Sequence, residues 1–344
     1  MHLIIDIRSA SPIDPIIPRY AGSWVDLWRM YHPRDLVSYI HFDHQDCPDN
    51  GTSIPVKSTW YWHRKPITVP WTHEIFRCVS FSSYDQYDPR IVTITHVFDH
   101  AGSLYPWLDR SWIAWLIHKN TKNHLKKSSK IIVPSLSIGQ ETVDIAHIRE
   151  DDIDIIPYIS LSPQPGDHLT LSQLSISWSY WLYDGSYGSE ANIAGLLRWY
   201  REYRELGGTH TLICMWQPRD NELSRISELI QKMNLTGSVR IIGTLKWASI
   251  ESVYMHASGW IYVGAYYTGG PRIELARSYQ IPLLISNIPS LVDYYSTSIT
   301  LHPNHLGQLG QSLRDLEHKT MTGIRKASNE DIIKAYTKIL AEKR

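Results

Sequence analysis

Short apolar runs alternate with amphipathic segments along all 344 residues, and that alternation limits the chain to a small set of folds. His2–Ile7, Leu36–Phe42, Ile91–Val97 ("IVTITHV"), "KIIVPS" and "IDIIPYI" read as strands. Ser23–Tyr31, following a Pro-rich loop, "WLDRSWIAWLIHKNTKNHLKK" (107–127) and "IGQETVDIAHI" read as helices. Residues 43–75, rich in His, Pro and Trp, show no assignable period. Strands alternating with helices in this way imply parallel sheets covered by helices on both faces.

The second half repeats the pattern more cleanly. "SISWSYWLYDG", "HTLICMW", "VRIIG", "GWIYVGA" and "IPLLIS" read as strands. Between them lie helices at "EANIAGLLRWYREYRELGG", Asn221–Met233, Ile250–Ala257 and the segment opened by Pro271. The first of these carries Ile193, Leu196, Leu197 and Tyr200 on one face and stops at two glycines. The stretch "SLSPQPGDHLTLSQLS" (160–175) is polar, holds Pro and Gly, has no helical period and reads as the connection between two domains. The expected architecture is α/β: two Rossmann-like doubly wound domains, 1–165 and 166–325, facing across a cleft where ligands bind. Dehydrogenases and two-domain binding proteins share that outline.

Composition narrows the partners. Formal net charge is zero, so no whole-protein field draws the chain to nucleic acid or anionic lipid. Three widely spaced cysteines (Cys47, Cys78, Cys214) suit reduced thiols in a cytoplasmic protein. "MHLIIDIRSASP" has neither the basic start nor the apolar core of a secretory signal, and no run reaches a bilayer span. "DIRSASPID" after the first strand lacks the glycines of a dinucleotide fingerprint, which weighs against a dehydrogenase.

The most informative stretch is "VGAYYTGGPRIELARSYQIPLLIS" (263–286). A strand ends in two aromatics and two glycines, and a helix restarts at Pro271, which suits a first turn needing no amide proton. Gly269 and Gly270 let a ligand approach the backbone, helix-start N–H groups attract oxygen-rich groups, and Glu274 can accept two hydroxyls of a diol. The plainer reading is a strand–turn–helix whose acid complements the helix dipole.

The surroundings of that stretch resemble the donor-binding region of retaining GT-B glycosyltransferases, family 4 in particular. Gly243, "VYMHASGWIYV", "TGGPRIE", "IPLLISN" and "PSL" follow the order and nearly the spacing of that family's E-G-F-G-L-P-x-x-E region. Upstream, "MHLIIDIR" resembles the family's opening strand, "RYAGSWVDLW" its acceptor-side loop and helix, and "VTITHVFDH…YP" its T-x-H-D…P segment. "KIIVPSLSIGQETVDI…IDIIPYI" resembles the strand–helix–strand that leads to its linker.

The resemblance implies a sugar moved from a nucleotide-diphosphate donor to a glycan, lipid-linked or small-molecule acceptor, with neither cofactor nor metal. Gly243, Lys246, Gly185, Thr268, Gly269, Gly270, Arg272 and Glu274 fall in its donor region, with Glu274 on the ribose. Tyr20, Gly22 and Ser23 fall on its acceptor side. His96 and Tyr266 fall where it places groups near the transferred sugar, with Asp99 and His100 competing for the histidine's place. The resemblance also implies a final helix (Glu330–Glu342, within 326–344) returning to the first domain.

Two positions depart from the family. Tyr266 stands where it has the first acid of an E-x7-E pair, and Ala191 stands before Asn192 where it has a cation. Arg219, Lys246 and Arg272 are the substitutes to be weighed, against the plainer reading of each as a solvated charge. These departures sustain a second hypothesis, a catalytically degenerate relative that binds a glycan or a partner. In the 107–127 helix, Trp107, Trp112 and Trp115 beside Lys119, Lys122, Lys126 and Lys127 read first as a core helix with a basic end. The second reading is a contact with the inner face of a membrane.

Overall fold

The computed structural model describes residues 1–8, 16–43, 45–56, 76–81, 91–104, 121–167, 170–176, 179–185, 189–215, 220–243, 245–267, 270–292, 299–301, 309–316 and 328–341. The chain divides into two compact units, Met1–Ser160 with Ala327–Arg344, and Leu161–Lys326.

The first unit holds β1 (His2–Asp6), β2 (Leu36–Phe42), β3 (Thr52–Val56), β4 (Phe76–Ser80), β5 (Val92–His96), β6 (Lys130–Val133) and β7 (Ile153–Ile155). They form one parallel sheet in the order β3-β2-β1-β4-β5-β6-β7. Leu3, Ile4 and Ile5 are fully buried, as strands covered on both faces must be. Ile4, Ile40, Cys78 and Ile91 pack as one cluster, with Ile54 and Val56 against it.

Three differences from the sequence reading stand out, and two of them have a clear physical cause. The helix expected at Ser23–Tyr31 starts at Ile16. Pro18 lies in its first turn, where a missing N–H costs nothing, so residues 16–22, expected to precede the helix, are already part of it. Thr52–Val56 is an edge strand, largely exposed, and Pro55 is tolerated there because an edge has spare donors. Phe76–Ser80 lies between β1 and β5 and was not assigned from sequence.

The Asn329–Ala341 helix belongs to this unit and packs on the Ile16–Tyr31 helix. Tyr336 meets Trp24 edge to face at 5.1 Å, and His32 Nε2 lies 2.9 Å from Thr337 Oγ1. Asn329 brackets Ser160 by accepting its N–H at 2.9 Å and donating to its carbonyl at 3.3 Å.

The second unit holds β8 (Tyr180–Tyr183), β9 (Thr211–Met215), β10 (Val239–Ile242), β11 (Gly259–Tyr262), β12 (Leu283–Ser286) and β13 (Ile299–Leu301). Its parallel order β10-β9-β8-β11-β12-β13 is that of a Rossmann sheet. β13, only three residues long, was not assigned from sequence. The Ile193–Glu205 helix buries Ile193, Leu196, Leu197 and Tyr200 as its period required, and Trp199 and Tyr203 besides. The polar stretch read as a connection is tied to this unit. Asp167 O accepts the Ser252 hydroxyl at 2.8 Å, the Tyr279 hydroxyl donates to Gln164 O at 2.8 Å, and a Cβ on Gly166 would strike Ser252.

Candidate functional site

In the second unit the strand order reverses between β8 and β11, and the carboxyl ends of these strands mark the switch point where doubly wound sheets take ligands. β8 is followed directly by Asp184 and Gly185, and then by a short 3-10 turn at Ser189–Ala191. The loop after β11 is stitched to that turn. Ala265 N–H donates to Glu190 O at 2.7 Å, and Asn192 Nδ2 donates to Val263 O at 3.4 Å. Gly264 is required here, since a Cβ would lie 2.7 Å from Glu190 O. Gly185 is likewise close-packed, with Tyr183 Oη 2.8 Å from where its Cβ would be. Ala191 is fully buried in the same turn.

The "YYTGGPRIE" segment leads from β11 into the Arg272–Ser278 helix, with Pro271 as its N-cap. Gly270 adopts φ 52°, a conformation that favours glycine. The Tyr267 hydroxyl accepts the Ile273 N–H at 3.2 Å and donates to Gly270 O at 3.0 Å, while Glu274 N–H bonds Pro271 O at 3.0 Å. Two of the first helical amides, expected from sequence to face a ligand, therefore have partners within the chain.

Charge is concentrated and internally matched. Arg272, 6% exposed, reaches Asp184 Oδ1 through Nε at 3.2 Å, and Asp184 Oδ2 accepts the Tyr254 hydroxyl at 2.5 Å. Glu274, 1% exposed, meets Arg277 Nη1 at 2.6 Å. Buried charges persist only when paired in this way. Burial raises the Tyr254 and Tyr267 hydroxyls well above the ordinary phenol range, so both stay protonated donors at neutral pH. Asp184, Tyr254, Tyr267 and Arg277 were not singled out from the sequence. The one local sign was an acid ("LYDG") at the carboxyl end of a strand.

Other expected residues lie elsewhere. Gly243 follows β10, the edge strand of the sheet, and Lys246 is exposed, immediately before the Trp247–Met255 helix, with no side-chain cap. Tyr266 is buried, and its carbonyl accepts the Tyr262 hydroxyl. Thr268, Gly269, Arg219, Trp107, Trp112, Trp115 and Lys119 lie outside the described residues. Lys122, Lys126 and Lys127 are exposed on a helical segment at 121–127.

In the first unit, Tyr20, Gly22 and Ser23 sit within the Ile16–Tyr31 helix and not in a loop. The Tyr20 hydroxyl accepts the Ile159 N–H at 3.1 Å, and the Ser23 hydroxyl accepts from Arg19. His96, at the end of β5, is packed beside Phe81 and lies 2.9 Å from the Tyr336 hydroxyl through Nε2. Burial holds its pKa down to about 3. His100 bonds Thr142 Oγ1 at 2.7 Å and is lowered to about 4, first by burial and then by Lys122. Asp99 is half-buried. Among the described residues no cluster of His, Cys, Asp and Glu could hold a metal ion, and no helix is long and apolar enough to cross a membrane.

No protein-family model and no curated protein matches the sequence. Solved structures do match in fold. HepE from Anabaena, in complex with UDP-glucose, superposes with a TM-score of 0.67 at 10% identity, covering 99% of each chain. Sucrose-phosphate synthase from Thermosynechococcus elongatus gives 0.63 at 12% identity, over 97% of this chain and 94% of that one. WaaG, a glycosyltransferase involved in lipopolysaccharide biosynthesis, gives 0.62 at 10%, over 98% and 93%. The chain has the GT-B fold, as the sequence resemblance implied.

Proposed function

We propose that this chain is a glycosyltransferase, similar to family 4, that binds a nucleoside-diphosphate sugar at the β8/β11 switch point. The sugar passes with retention to a glycan, lipid-linked or small-molecule acceptor. The observation that carries this reading is the place of "YYTGGPRIE": it leaves β11 at the switch point of a Rossmann sheet, in a chain whose whole length matches glycosyltransferases in fold. Retention by a front-face course needs no protein nucleophile, because the leaving diphosphate takes the acceptor's proton. The protein's task is then to position both substrates and to stabilise charge on the leaving group. Arg272 is the cation assigned to that role, since a guanidinium can grip two phosphate oxygens. Glu274 is assigned to the ribose. No metal or cofactor is needed in this scheme, nucleic acid is not a partner, and the expected location is the cytoplasm.

The test begins with thermal unfolding in the presence of UDP-, GDP- and ADP-sugars, where a ligand of the native state raises the midpoint. Release of the nucleoside diphosphate with an acceptor present then measures turnover. Arg272→Ala is expected to lose about 10²-fold or more of turnover, the scale for removing a charge-stabilising donor, while staying folded. A variant that transfers sugar as well as the parent removes Arg272 from the reaction.

A second reading, a degenerate binder of glycans or partners, is favoured by the buried Ala191 in place of a cation and by the pairing of Arg272 with Asp184. A parent protein that neither binds nor hydrolyses any of these donors, yet binds a glycan, would establish it.

A further inference from the structure

Two buried Arg–Asp pairs stand at the carboxyl ends of the two sheets, and they are built differently. In the first unit Arg8 grips Asp6 with Nε at 2.9 Å and Nη2 at 2.7 Å, and its own N–H also donates to that carboxylate at 3.0 Å. Both partners lie within two residues of one strand end. In the second unit the partners are 88 residues apart in sequence. Arg272 approaches through Nε at 3.2 Å, and the other carboxylate oxygen belongs to Tyr254, from a third element. A carboxylate already holding a phenol hydroxyl keeps a buried donor when its arginine turns to another anion. That lowers the cost of exchanging one anion for another at the guanidinium.

Resting on the glycosyltransferase reading, we propose that Asp184 is a positioning residue that holds Arg272 until the donor binds and is then exchanged for the donor's phosphates, with Tyr254 retaining the carboxylate. The carboxylate therefore competes with the ligand for Arg272 and sets the donor's affinity. Tyr267, whose hydroxyl caps the same helix and feels the charges of both Arg272 and Asp184, keeps the backbone in place during the exchange.

The sign of two substitutions separates this role from mere support of the fold. Asp184→Asn keeps the shape and removes the competing charge, so UDP, GDP or ADP, measured by calorimetry, is expected to bind about tenfold more tightly to this variant than to the parent. Tyr254→Phe removes the donor that retains the carboxylate, so the same nucleotide is expected to bind more weakly. Thermal unfolding of each free variant establishes that it is folded, and Tyr254→Phe carries the test if Asp184→Asn is not. Affinity that is unchanged or weakened in Asp184→Asn, or unchanged or strengthened in Tyr254→Phe, overturns the exchange while leaving the donor site standing. A parent that binds none of the three nucleotides overturns the glycosyltransferase reading and this inference with it.

Discussion

In the first unit, the buried pair at the end of β1 is made two residues apart, and a group of rings packs nearby. Asp6 and Arg8 neutralise each other two residues apart, and Tyr20, Phe81, Phe98, His96 and Tyr336 pack together beside them. In the second unit the corresponding switch point is assembled from separate elements. β8 supplies Asp184, the Trp247–Met255 helix supplies Tyr254, and the Arg272–Ser278 helix supplies Arg272, Glu274 and Arg277. A pair made within one strand end ties residues of that strand end to each other. A trio that joins three elements (Asp184, Tyr254 and Arg272) can respond when any one of them meets a ligand, and close-packed or positive-φ glycines (Gly185, Gly264, Gly270) occur at the second site.

The sharpest way to break this contrast is to uncover a buried charge on each side. Arg8→Ala leaves Asp6 buried without its guanidinium and is expected to cost about 3–5 kcal/mol, read from denaturant unfolding. Glu274→Ala uncovers Arg277 in the second unit and is expected to cost a similar amount, about 3–5 kcal/mol, and also to weaken nucleotide binding by roughly 1.5–3 kcal/mol. The first variant is expected to leave nucleotide affinity unchanged once folded. If Arg8→Ala weakens nucleotide binding as much as Glu274→Ala does, the division between a supporting and a responsive switch point is wrong.

His96 gives a smaller effect with a definite sign. Its folded pKa, held down to about 3 by burial, lies below the ordinary value of 6.5 in the unfolded chain. Between those values the unfolded state binds the extra proton, so stability is full above about pH 6.5 and falls as pH drops. At pH 5 the loss is about 2 kcal/mol. His96→Phe removes this contribution, so the difference in stability between pH 7.5 and pH 5 is expected to shrink by that amount. An undiminished difference would mean that His96 is not held neutral by burial and that other groups carry the pH dependence.

What was legible in the sequence follows from burial. β1, β9 and β12 were plain because both faces are covered and apolar residues follow one another, and β2 and β5 because buried apolar residues still dominate around Ser38, Thr93 and Thr95. Thr52–Val56 was not, because an exposed edge strand carries polar residues and a proline without alternation. The positive φ of Gly270 and the helix start at Pro271, with Glu274 in its first turn, could be anticipated because backbone conformation and helix starts leave local marks. Asp184, Tyr254 and Arg277 could not, because a charge or a phenol at the end of an element has no period, and the partners of Asp184 are 70 and 88 residues away. The same blindness made Arg272 read as a solvated or ligand-facing charge when its carboxylate partner was out of view.

Gly22 gives the smallest expected effect and the finest test of the first unit. The sequence resemblance placed it on an acceptor-side loop, whereas it lies inside the Ile16–Tyr31 helix, with its carbonyl accepting Asn50 Nδ2 at 2.9 Å. Alanine in a helix interior gains roughly 0.5–1 kcal/mol over glycine. Against that, the new Cβ would lie 3.3 Å from Pro48 Cβ, tight enough that the 48–50 loop must yield slightly. The two effects nearly cancel, so Gly22→Ala is expected to change stability by less than about 0.5 kcal/mol. A glycine whose role is only this packing also leaves the KM for an acceptor unchanged. A raised acceptor KM with stability intact would show that the acceptor reaches this helix, and the first unit would then carry a binding surface of its own.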